Sequence, residues 1–371
     1  MMKREFTVTG LCVPEEHYMV DISNKVAQIK KLIDKRFYFT INRARQFGKT
    51  TMLHALETHL GNEYTVISLT LEGLGIESFE SPRKFCQKFT QHISKALKFT
   101  NVREEYRESW KNPSIVDFDT LSDHITELSK EKKIVLLIDE VDKVTNNQVF
   151  MDFLSMLRKK YLARTKRKDF TFHSVILAGV YDIKNLKWKI KERGDAHLKN
   201  EERVNNSPWN IAVNFTVDMS FNPEEIETML IAYESDHKTG MNTLNIAEEI
   251  YKYTSGYPFL VSRICQCIHE ELGKEWSAAG VQEAVKNILS EKSTLLEDMF
   301  KNLKTNKDFS VMIRRIILDG EKFPFSGGVA EVDLGLQYGY IAKKNNHIVI
   351  SNKIFENAML EYFLKTGFKL R

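Results

Sequence analysis

The chain has 371 residues, which is too long for a single typical hydrophobic core and predicts about two or three domains. Its formal net charge of +4 does not mark a nucleic-acid binder, so such a partner has to be argued from local patches. Its four cysteines lack zinc-ligand spacing, which argues against disulfides and a structural metal. No apolar signal core begins the chain and no run reaches about 18 apolar residues, so we expect a cytoplasmic, soluble protein without a membrane partner.

The first segment predicts one helix that leads into the core of the protein. Apolar residues recur at helical spacing at Val26, Ile29 and Ile33. Asp21 or Ser23 supplies the N-cap, because a short side chain with an oxygen accepts a hydrogen bond from the free N–H groups of the first turn.

Residues 37–51 predict a strand, a phosphate-binding loop and the start of a helix. Gly48 lets the backbone approach a nucleotide closely, Lys49 suits the β- and γ-phosphates, and the Thr50 hydroxyl suits Mg²⁺. The helix that follows directs its N-terminal N–H groups at the same anion. The usual pattern has a glycine five residues before Gly48, where Arg43 stands. The short match therefore needs a second element.

The second element is a strand that ends in two carboxylates. Residues 134–138 form an apolar run long enough for a buried strand, and Asp139 and Glu140 follow directly. This pattern resembles a Walker B strand, in which Asp139 holds Mg²⁺, directly or through water, and Glu140 orients the attacking water. The alternative is a core strand that ends in a solvated acidic turn. The presence of Gly48-Lys49-Thr50 upstream favours the nucleotide site.

Further strands and helices alternate through the first two thirds of the chain. Strands are predicted at 64–71, 172–179 and 209–215, and helices at 82–97 and 121–128. Strands separated by helices imply a parallel sheet covered on both faces.

Beyond residue 218 the pattern becomes helical and then mixed. A helix begins at Asn222-Pro223, and a later one stops near Gly256, with the next starting around Pro258. This succession predicts a helical lid. From about residue 293, two helices precede a hairpin centred on Asn345-Asn346, which suggests a winged helix.

Together these motifs resemble the bacterial AAA-like ATPases, often labelled AAA-ATPase-like, near the STAND and archaeal ATPase branches of the P-loop NTPases. The segments that carry the resemblance span nearly the whole chain and are Tyr18-Met19-Val20-Asp21, Asn42 to Thr50, Leu137 to Lys143, Ser207 to Ala212, Gly256 to Leu260 and Ser351 to Phe355. In that family the phosphate loop commonly starts with Arg, so Arg43 fits the family pattern. Ala44 and Gln46 replace a Pro and an Arg of the better-known subgroup.

The resemblance implies an α/β P-loop NTPase with a five-stranded parallel sheet, in which an extra strand lies between the phosphate-loop strand and the Walker B strand. It also implies a helical lid with a Gly-x-Pro turn and a C-terminal winged-helix domain. The expected divisions are an N-terminal segment and helix (1–36), the ATPase core (37–217), the lid (218–290) and the winged-helix-like domain (291–371). Longer relatives continue into a PD-(D/E)XK nuclease-like domain about where this chain ends, and no nuclease activity is expected here.

Several roles stay open at the level of sequence. Residues 177–182 offer no Asn, Ser or Thr in the place where a sensor residue is expected. Arg263, one turn into the helix after Pro258, either reaches the γ-phosphate or is a surface cation. Asp142 either assists the metal and water or caps a helix. The arginine-finger candidates, among which sequence cannot choose, are Arg43, Arg45, Arg193 and Arg203.

The segment 158–168 holds seven cations in eleven residues. It could contact the phosphates of DNA, but a solvated helix end and loop is the favoured interpretation. The winged helix is open to the same two interpretations, since its recognition helix could enter a major groove or serve for packing and regulation.

The sequence therefore predicts an ATP-binding, ATP-hydrolysing switch protein with ATP and Mg²⁺ as ligands. Lys49 and Glu140 are the predicted catalytic residues, and Thr50 and Asp139 the predicted metal ligands. The predicted nucleotide-binding residues are Arg45, Gln46, Phe47, Gly48, Lys49, Thr50, Thr51 and Arg263. The alternative is a non-hydrolysing, nucleotide-gated protein that contacts DNA or a protein through its winged helix. A homo-oligomer is left open, and the lack of an Asn-Lys-x-Asp guanine signature favours ATP over GTP.

Overall fold

The computed structural model describes residues 4–100, 102–145, 147–180, 183, 187–189 and 204–366. Its contacts divide the chain into two compact units. The sheet unit comprises Val26–Asn42 and Met52–Val217, and the helical unit comprises Met1–Lys25, Arg43–Thr51 and Asp218–Arg371. The predicted phosphate loop thus belongs to the helical unit. Within the described ranges, no helix combines the length and apolarity needed to cross a lipid bilayer.

The first part of the chain alternates helices and strands, as the sequence predicts. The elements are, in order, α1 (Ser23–Asp34), β1 (Tyr38–Asn42), α2 (Lys49–Leu60), β2 (Thr65–Thr70), α3 (Pro82–Ala96), α4 (Glu104–Ser109), α5 (Phe118–Glu131), β3 (Ile134–Asp139), α6 (Gln148–Thr165), β4 (Ser174–Gly179), β5 (Lys187–Lys189) and β6 (Val204–Asn206).

The main sheet has four parallel strands in the order β1-β4-β3-β2. Every residue of β3 and β4 is buried, which is why both strands have near-continuous apolar sequences. β4 pairs with β1 through Ile41 and Ala178, and with β3 through Leu177 and Ile138. The expected extra strand between the phosphate-loop strand and the acidic strand is confirmed.

The fifth strand predicted at 209–215 is wrong over most of its length. Pro208–Ile211 form a 3-10 turn, because Pro208 starts it and the Ser207 hydroxyl accepts a hydrogen bond from the Trp209 backbone N–H. Trp209 is buried, and its indole N–H donates to Thr40 Oγ1 at 3.0 Å. Only Val213 pairs with the sheet, in a single parallel bridge to Phe39. The apolar run reflects burial of a turn against β1.

An aromatic core packs under the sheet's helices. Phe85 lies 5.1 Å from Phe153 and 5.6 Å from Phe89, between ring centroids, which joins α3 to α6. Burial of such rings supplies much of the free energy that holds a sheet and its covering helices together.

The helical unit contains the rest of the regular structure. Its elements are α7 (Pro223–His237), α8 (Thr243–Thr254), α9 (Pro258–Glu270), α10 (Ala278–Ser290), α11 (Thr294–Thr305), α12 (Lys307–Leu318), α13 (Ala330–Gln337), β7 (Ile341–Lys344), β8 (His347–Ile350) and α14 (Lys353–Thr366).

The predicted helix boundaries at the start of this region are confirmed. Asn222 caps α7 in a reciprocal arrangement with Glu225, and Pro223 occupies the first turn. α8 ends at Thr254 and is followed by Ser255 and Gly256, which are both left-handed, and α9 begins at Pro258.

The predicted hairpin is also present. β7 and β8 pair antiparallel, and Asn345 and Asn346 between them have φ values of 49° and 60°, as a type I′ turn requires. The segment 323–325 bonds to the far side of β8, with Ile348 N–H donating to the Phe323 carbonyl at 2.9 Å.

Candidate nucleotide-binding site

The predicted phosphate loop runs from Arg43 into the first turn of α2. Gln46 and Gly48 both have left-handed backbones, with φ values of 56° and 73°. Turns of this kind make successive backbone N–H groups converge on one side, which forms a concavity for an anion. The N-terminus of α2, a 12-residue helix that starts at Lys49, adds the positive end of its helix dipole to the same field.

Lys49 is folded into its own loop. Its side chain is only 8% exposed, and its ammonium donates to the carbonyls of Arg43 at 3.0 Å and Ala44 at 2.8 Å. A buried ammonium needs such acceptors. Phosphate oxygens are stronger acceptors than carbonyls, so this position suits a lysine that exchanges loop carbonyls for a nucleotide's phosphates.

Other predicted binding residues of the loop direct their side chains into the helical unit. Arg45 Nη1 lies 3.4 Å from Asp298 Oδ2, and Gln46 Nε2 lies 3.5 Å from Thr294 Oγ1. Both side chains therefore contact α11, and a direct contact of either residue with a nucleotide stays a prediction.

The aromatic and hydroxyl side chains of the loop differ in their surroundings. The Phe47 ring meets the Tyr257 ring edge-on at 4.8 Å. Thr51 Oγ1 accepts a hydrogen bond from the Cys12 backbone N–H at 3.4 Å, so that hydroxyl ties the N-terminal segment to the loop. Thr50, the predicted Mg²⁺ ligand, is exposed.

Arg43 occupies the position where the usual loop pattern has a glycine. Its side chain is partly buried. Burial lowers the pKa of Arg43, and the nearby Asp218 carboxylate acts in the opposite direction. The arginine therefore fits into the folded helical unit, with a negative group beside it.

The acidic end of β3 is shaped by its own backbone. Asp139 is 7% exposed, and its Oδ1 accepts the N–H of Glu140 at 2.8 Å. Glu140 has φ 57° and ψ 37°, a left-handed conformation that costs a non-glycine residue of order 1 kcal/mol. Such strain is typical of functional positions.

Two residues that sequence analysis missed lie beside Glu140. Lys143 Nζ is 3.9 Å from Glu140 Oε2 and 2.5 Å from a carboxylate oxygen of Glu72, which follows β2. The spacing of three residues between Glu140 and Lys143 is the one available signal, while Glu72 could not be linked to them from sequence.

Asp142 ties two strand ends together. Its carboxylate accepts a hydrogen bond from the Val180 backbone N–H, directly after β4. Of the segment where no sensor residue could be found, Tyr181 and Asp182 lie outside the described residues.

Arg263 lies in a clasp of two carboxylates within the helical unit. Its guanidinium is 2.6 Å from Glu291 and 2.8 Å from Glu271, and hydrogen bonding to Glu291 is the main cause that raises the pKa of Arg263. Contact with a γ-phosphate requires these ion pairs to be exchanged, so that role stays a prediction. Of the arginine-finger candidates, Arg193 and Arg203 lie outside the described residues.

Two cations of the basic segment 158–168 are structural. Lys160 is 2% exposed and lies 2.8 Å from Asp169. Arg164 donates to the carbonyls of Phe172, at 2.6 Å, and Arg36, at 2.7 Å. The exposed cations that remain for a partner are Lys159, Lys166, Arg167 and Lys168.

Comparison with known protein families identifies the family of this chain. A family model described as an AAA-like domain matches residues 16–364. The chain belongs to the AAA-like domain family. No curated protein matches it significantly.

Solved structures share the fold of this AAA-like protein. A Walker-type ATPase of Pyrococcus abyssi is 13% identical with a TM-score of 0.63, over 96% of this chain and 99% of that one. The ORC2 protein of Aeropyrum pernix, solved as ADPNP–ADP complexes, is 11% identical with a TM-score of 0.50, over 94% and 97%. At these identities the likeness establishes the P-loop ATPase type of fold and nothing finer.

Within this AAA-like protein, the predicted residues form two groups. The loop residues 43–51 lie together with α9 and α11 in the helical unit, and Asp139 and Glu140 lie with Asp142 and Lys143 in the sheet unit.

Proposed function

We propose that this AAA-like protein binds ATP with Mg²⁺ and hydrolyses the ATP as a nucleotide-dependent switch. The observation that carries the proposal is the loop at 43–51, in which the buried Lys49 ammonium is surrounded by loop carbonyls and two left-handed residues curve the backbone. This curvature and charge suit a polyphosphate.

The donor set fits Mg²⁺. A threonine hydroxyl at Thr50 and a carboxylate at Asp139 are hard oxygen ligands, which Mg²⁺ prefers. The Glu140 N–H donates to Asp139 Oδ1 at 2.8 Å and so orients this carboxylate at the end of β3. When bound, Mg²⁺ supplies neutralisation of the charge on the phosphates.

The chain's own residues divide the catalytic work. Lys49 binds the β- and γ-phosphates and stabilises the charge that develops on them. Glu140 accepts a hydrogen bond from the attacking water and orients it in line with the bond to be broken. The missing guanine signature favours ATP, and the ORC2 relative was solved with adenine nucleotides.

The second candidate is a nucleotide-gated binding protein that hydrolyses slowly or not at all. It is supported by the hairpin β7–β8, which exposes Lys343, Lys344 and His347 near its tip. Such a cationic hairpin suits the wing of a winged-helix-like domain that touches the backbone of DNA or an acidic protein surface.

Three proteins decide between the two: wild type, Lys49→Ala and Glu140→Gln. We expect magnesium-dependent turnover in wild type, loss of nucleotide binding in Lys49→Ala, and binding without turnover in Glu140→Gln. The exposed-residue variants Lys159→Ala and Glu127→Gln control for loss of a charge as such.

The outcomes separate the candidates. Tight binding by wild type without turnover, with or without DNA, favours the switch that does not hydrolyse. Absence of nucleotide binding in wild type contradicts both. An increase of turnover on addition of duplex DNA, lost when Lys343 and Lys344 are changed to glutamine, supports the hairpin as the contact.

A further inference from the structure

Tyr257, which lies directly before α9, holds the phosphate loop. Its side chain is buried at 3% exposure, and its hydroxyl donates to the Arg45 carbonyl at 2.6 Å. Burial raises the pKa of Tyr257, so the hydroxyl keeps the proton that it donates. The ring is fixed edge-on by Phe47 at 4.8 Å and by Phe355 at 5.5 Å.

This hydrogen bond sets the orientation of one peptide group. The described residues contain no cis peptide bond, so the Arg45 carbonyl and the Gln46 N–H point in opposite directions within one rigid, planar peptide group. Drawing the carbonyl toward Tyr257 therefore turns the Gln46 N–H away from Tyr257. The left-handed φ of Gln46 then continues the turn toward Gly48.

The loop is supported at neighbouring points as well. A Cβ on Gly339, in the turn before β7, would lie 3.0 Å from the Ala44 Cβ, so the backbone of that turn packs closely on the loop. The next two side chains of the loop also have partners, since Arg45 contacts Asp298 and Gln46 contacts Thr294. Of these contacts, the one made by Tyr257 is a hydrogen bond from a buried side chain to the loop backbone.

We propose that Tyr257 is a positioning residue, which pre-organises the Arg45–Gln46 peptide so that the loop's N–H groups face the phosphates of a nucleotide. The identity of that ligand rests on the function proposed above. The residue acts through the loop and does not itself touch the reacting atoms. Removing its hydroxyl takes this donor away from the Arg45 carbonyl and frees the peptide to rotate.

The test compares Tyr257→Phe with Tyr233→Phe. Both variants lose one hydroxyl from a buried tyrosine of the helical unit, since the Tyr233 hydroxyl pairs with His269 Nδ1 at 2.8 Å, away from the loop. The first readout is hydrogen exchange of the amides of residues 45–48 without nucleotide. We expect these amides to exchange at least about fivefold faster in Tyr257→Phe than in wild type. In Tyr233→Phe they should exchange at the wild-type rate.

The second readout is the affinity for Mg-ATP, with the thermal midpoint measured alongside. We expect about tenfold weaker binding in Tyr257→Phe, with Tyr233→Phe like wild type. Equal loop exchange and equal affinity in Tyr257→Phe and wild type overturn the proposal, as does an identical response in Tyr233→Phe. If wild type binds no nucleotide while loop exchange rises in Tyr257→Phe alone, the positioning of the loop stands and the ATPase proposal fails.

Discussion

The carboxylate of Asp142 accepts a hydrogen bond from the backbone N–H of Val180, and this joins the turn after β3 to the end of β4. The approach is close enough that β4 has to end in a glycine. A Cβ on Gly179 would lie 2.1 Å from Asp142 Oδ1 and 2.9 Å from Val141 Cγ2. The turn that carries Glu140 is therefore positioned by a strand whose last residue has no side chain.

We predict that Gly179→Ala lowers the free energy of unfolding by about 2–3 kcal/mol, because the added methyl group displaces Asp142 or the strand end. ATP turnover should fall as well, since the turn moves with Glu140. Urea unfolding and turnover measure the two effects. Gly61→Ala is the matched control, because the nearest atom to its Cβ lies at 3.4 Å, an ordinary contact. Equal stability of Gly179→Ala and wild type would show that the strand end relaxes freely.

Two further glycines allow the cost of a left-handed backbone to be measured separately from the cost of a steric clash. Gly256 has φ +73°, and a Cβ there would lie 1.9 Å from the Phe221 carbonyl oxygen. Gly240 has φ +78° with no atom within 4 Å of its Cβ position. Alanine at Gly240 should cost about 1 kcal/mol from the left-handed backbone alone, and alanine at Gly256 should cost at least about 2 kcal/mol more. Chemical unfolding of both variants checks the difference, and costs that are equal would refute the role of the Phe221 contact.

The strands that sequence analysis placed correctly are those whose burial leaves a clear pattern. β3 and β4 are buried along their whole length, so their apolar runs coincide with their bounds to within a few residues. The run at 209–215 looks alike, yet its first residue, Trp209, lies in a 3-10 turn and is buried with its indole N–H donating to Thr40. That pairing spans 169 residues and depends on tertiary structure.

In the candidate site, too, sequence predicts the residues of local motifs but not the contacts between distant segments. The motif residues Lys49, Asp139 and Glu140 follow from local spacing, because phosphate and metal chemistry need particular residue types at short intervals. The contact between Tyr257 and Arg45 joins residues 212 positions apart, and only the Gly-x-Pro turn around Tyr257 hinted that the region matters. Arg263 was assigned from its distance to Pro258, while its carboxylate partners lie farther along the chain.

The basic segment offers a third prediction. Lys160 is buried and donates to Asp169 and to the Ser122 carbonyl, at 2.8 Å and 2.9 Å. Lys160→Met should lower the free energy of unfolding by about 2–3 kcal/mol, because it leaves the Asp169 carboxylate without its cation. The exposed neighbour variant Lys159→Met should stay within about 0.5 kcal/mol of wild type. Denaturant midpoints at a common pH give the comparison, and similar midpoints for the two variants would contradict a structural role for Lys160.

The fourth prediction concerns His173, which is 8% exposed and packs against the Tyr64 ring at 5.0 Å. Burial, and then the charges of Arg36, Arg164 and Lys133, lower the pKa of His173 to about 4 from its ordinary value of 6.5. The unfolded chain therefore binds a proton near pH 6.5, and the folded chain only near pH 4. The contribution of the neutral His173 to the unfolding free energy is therefore present above pH 6.5 and is lost as the pH falls toward 4.

Between pH 7 and about pH 4.5, this one group should cost wild type about 2 kcal/mol of unfolding free energy. His173→Gln removes the titration, so its stability should fall less over the same interval even if it begins lower. Urea unfolding at several pH values measures both slopes, and the exposed His54→Gln variant should keep the wild-type slope. Parallel losses in wild type and His173→Gln would mean that other groups dominate the acid sensitivity. A smaller loss in His173→Gln assigns the acid sensitivity to this imidazole, whose protonation in the folded sheet unit is opposed first by burial and then by three nearby cations.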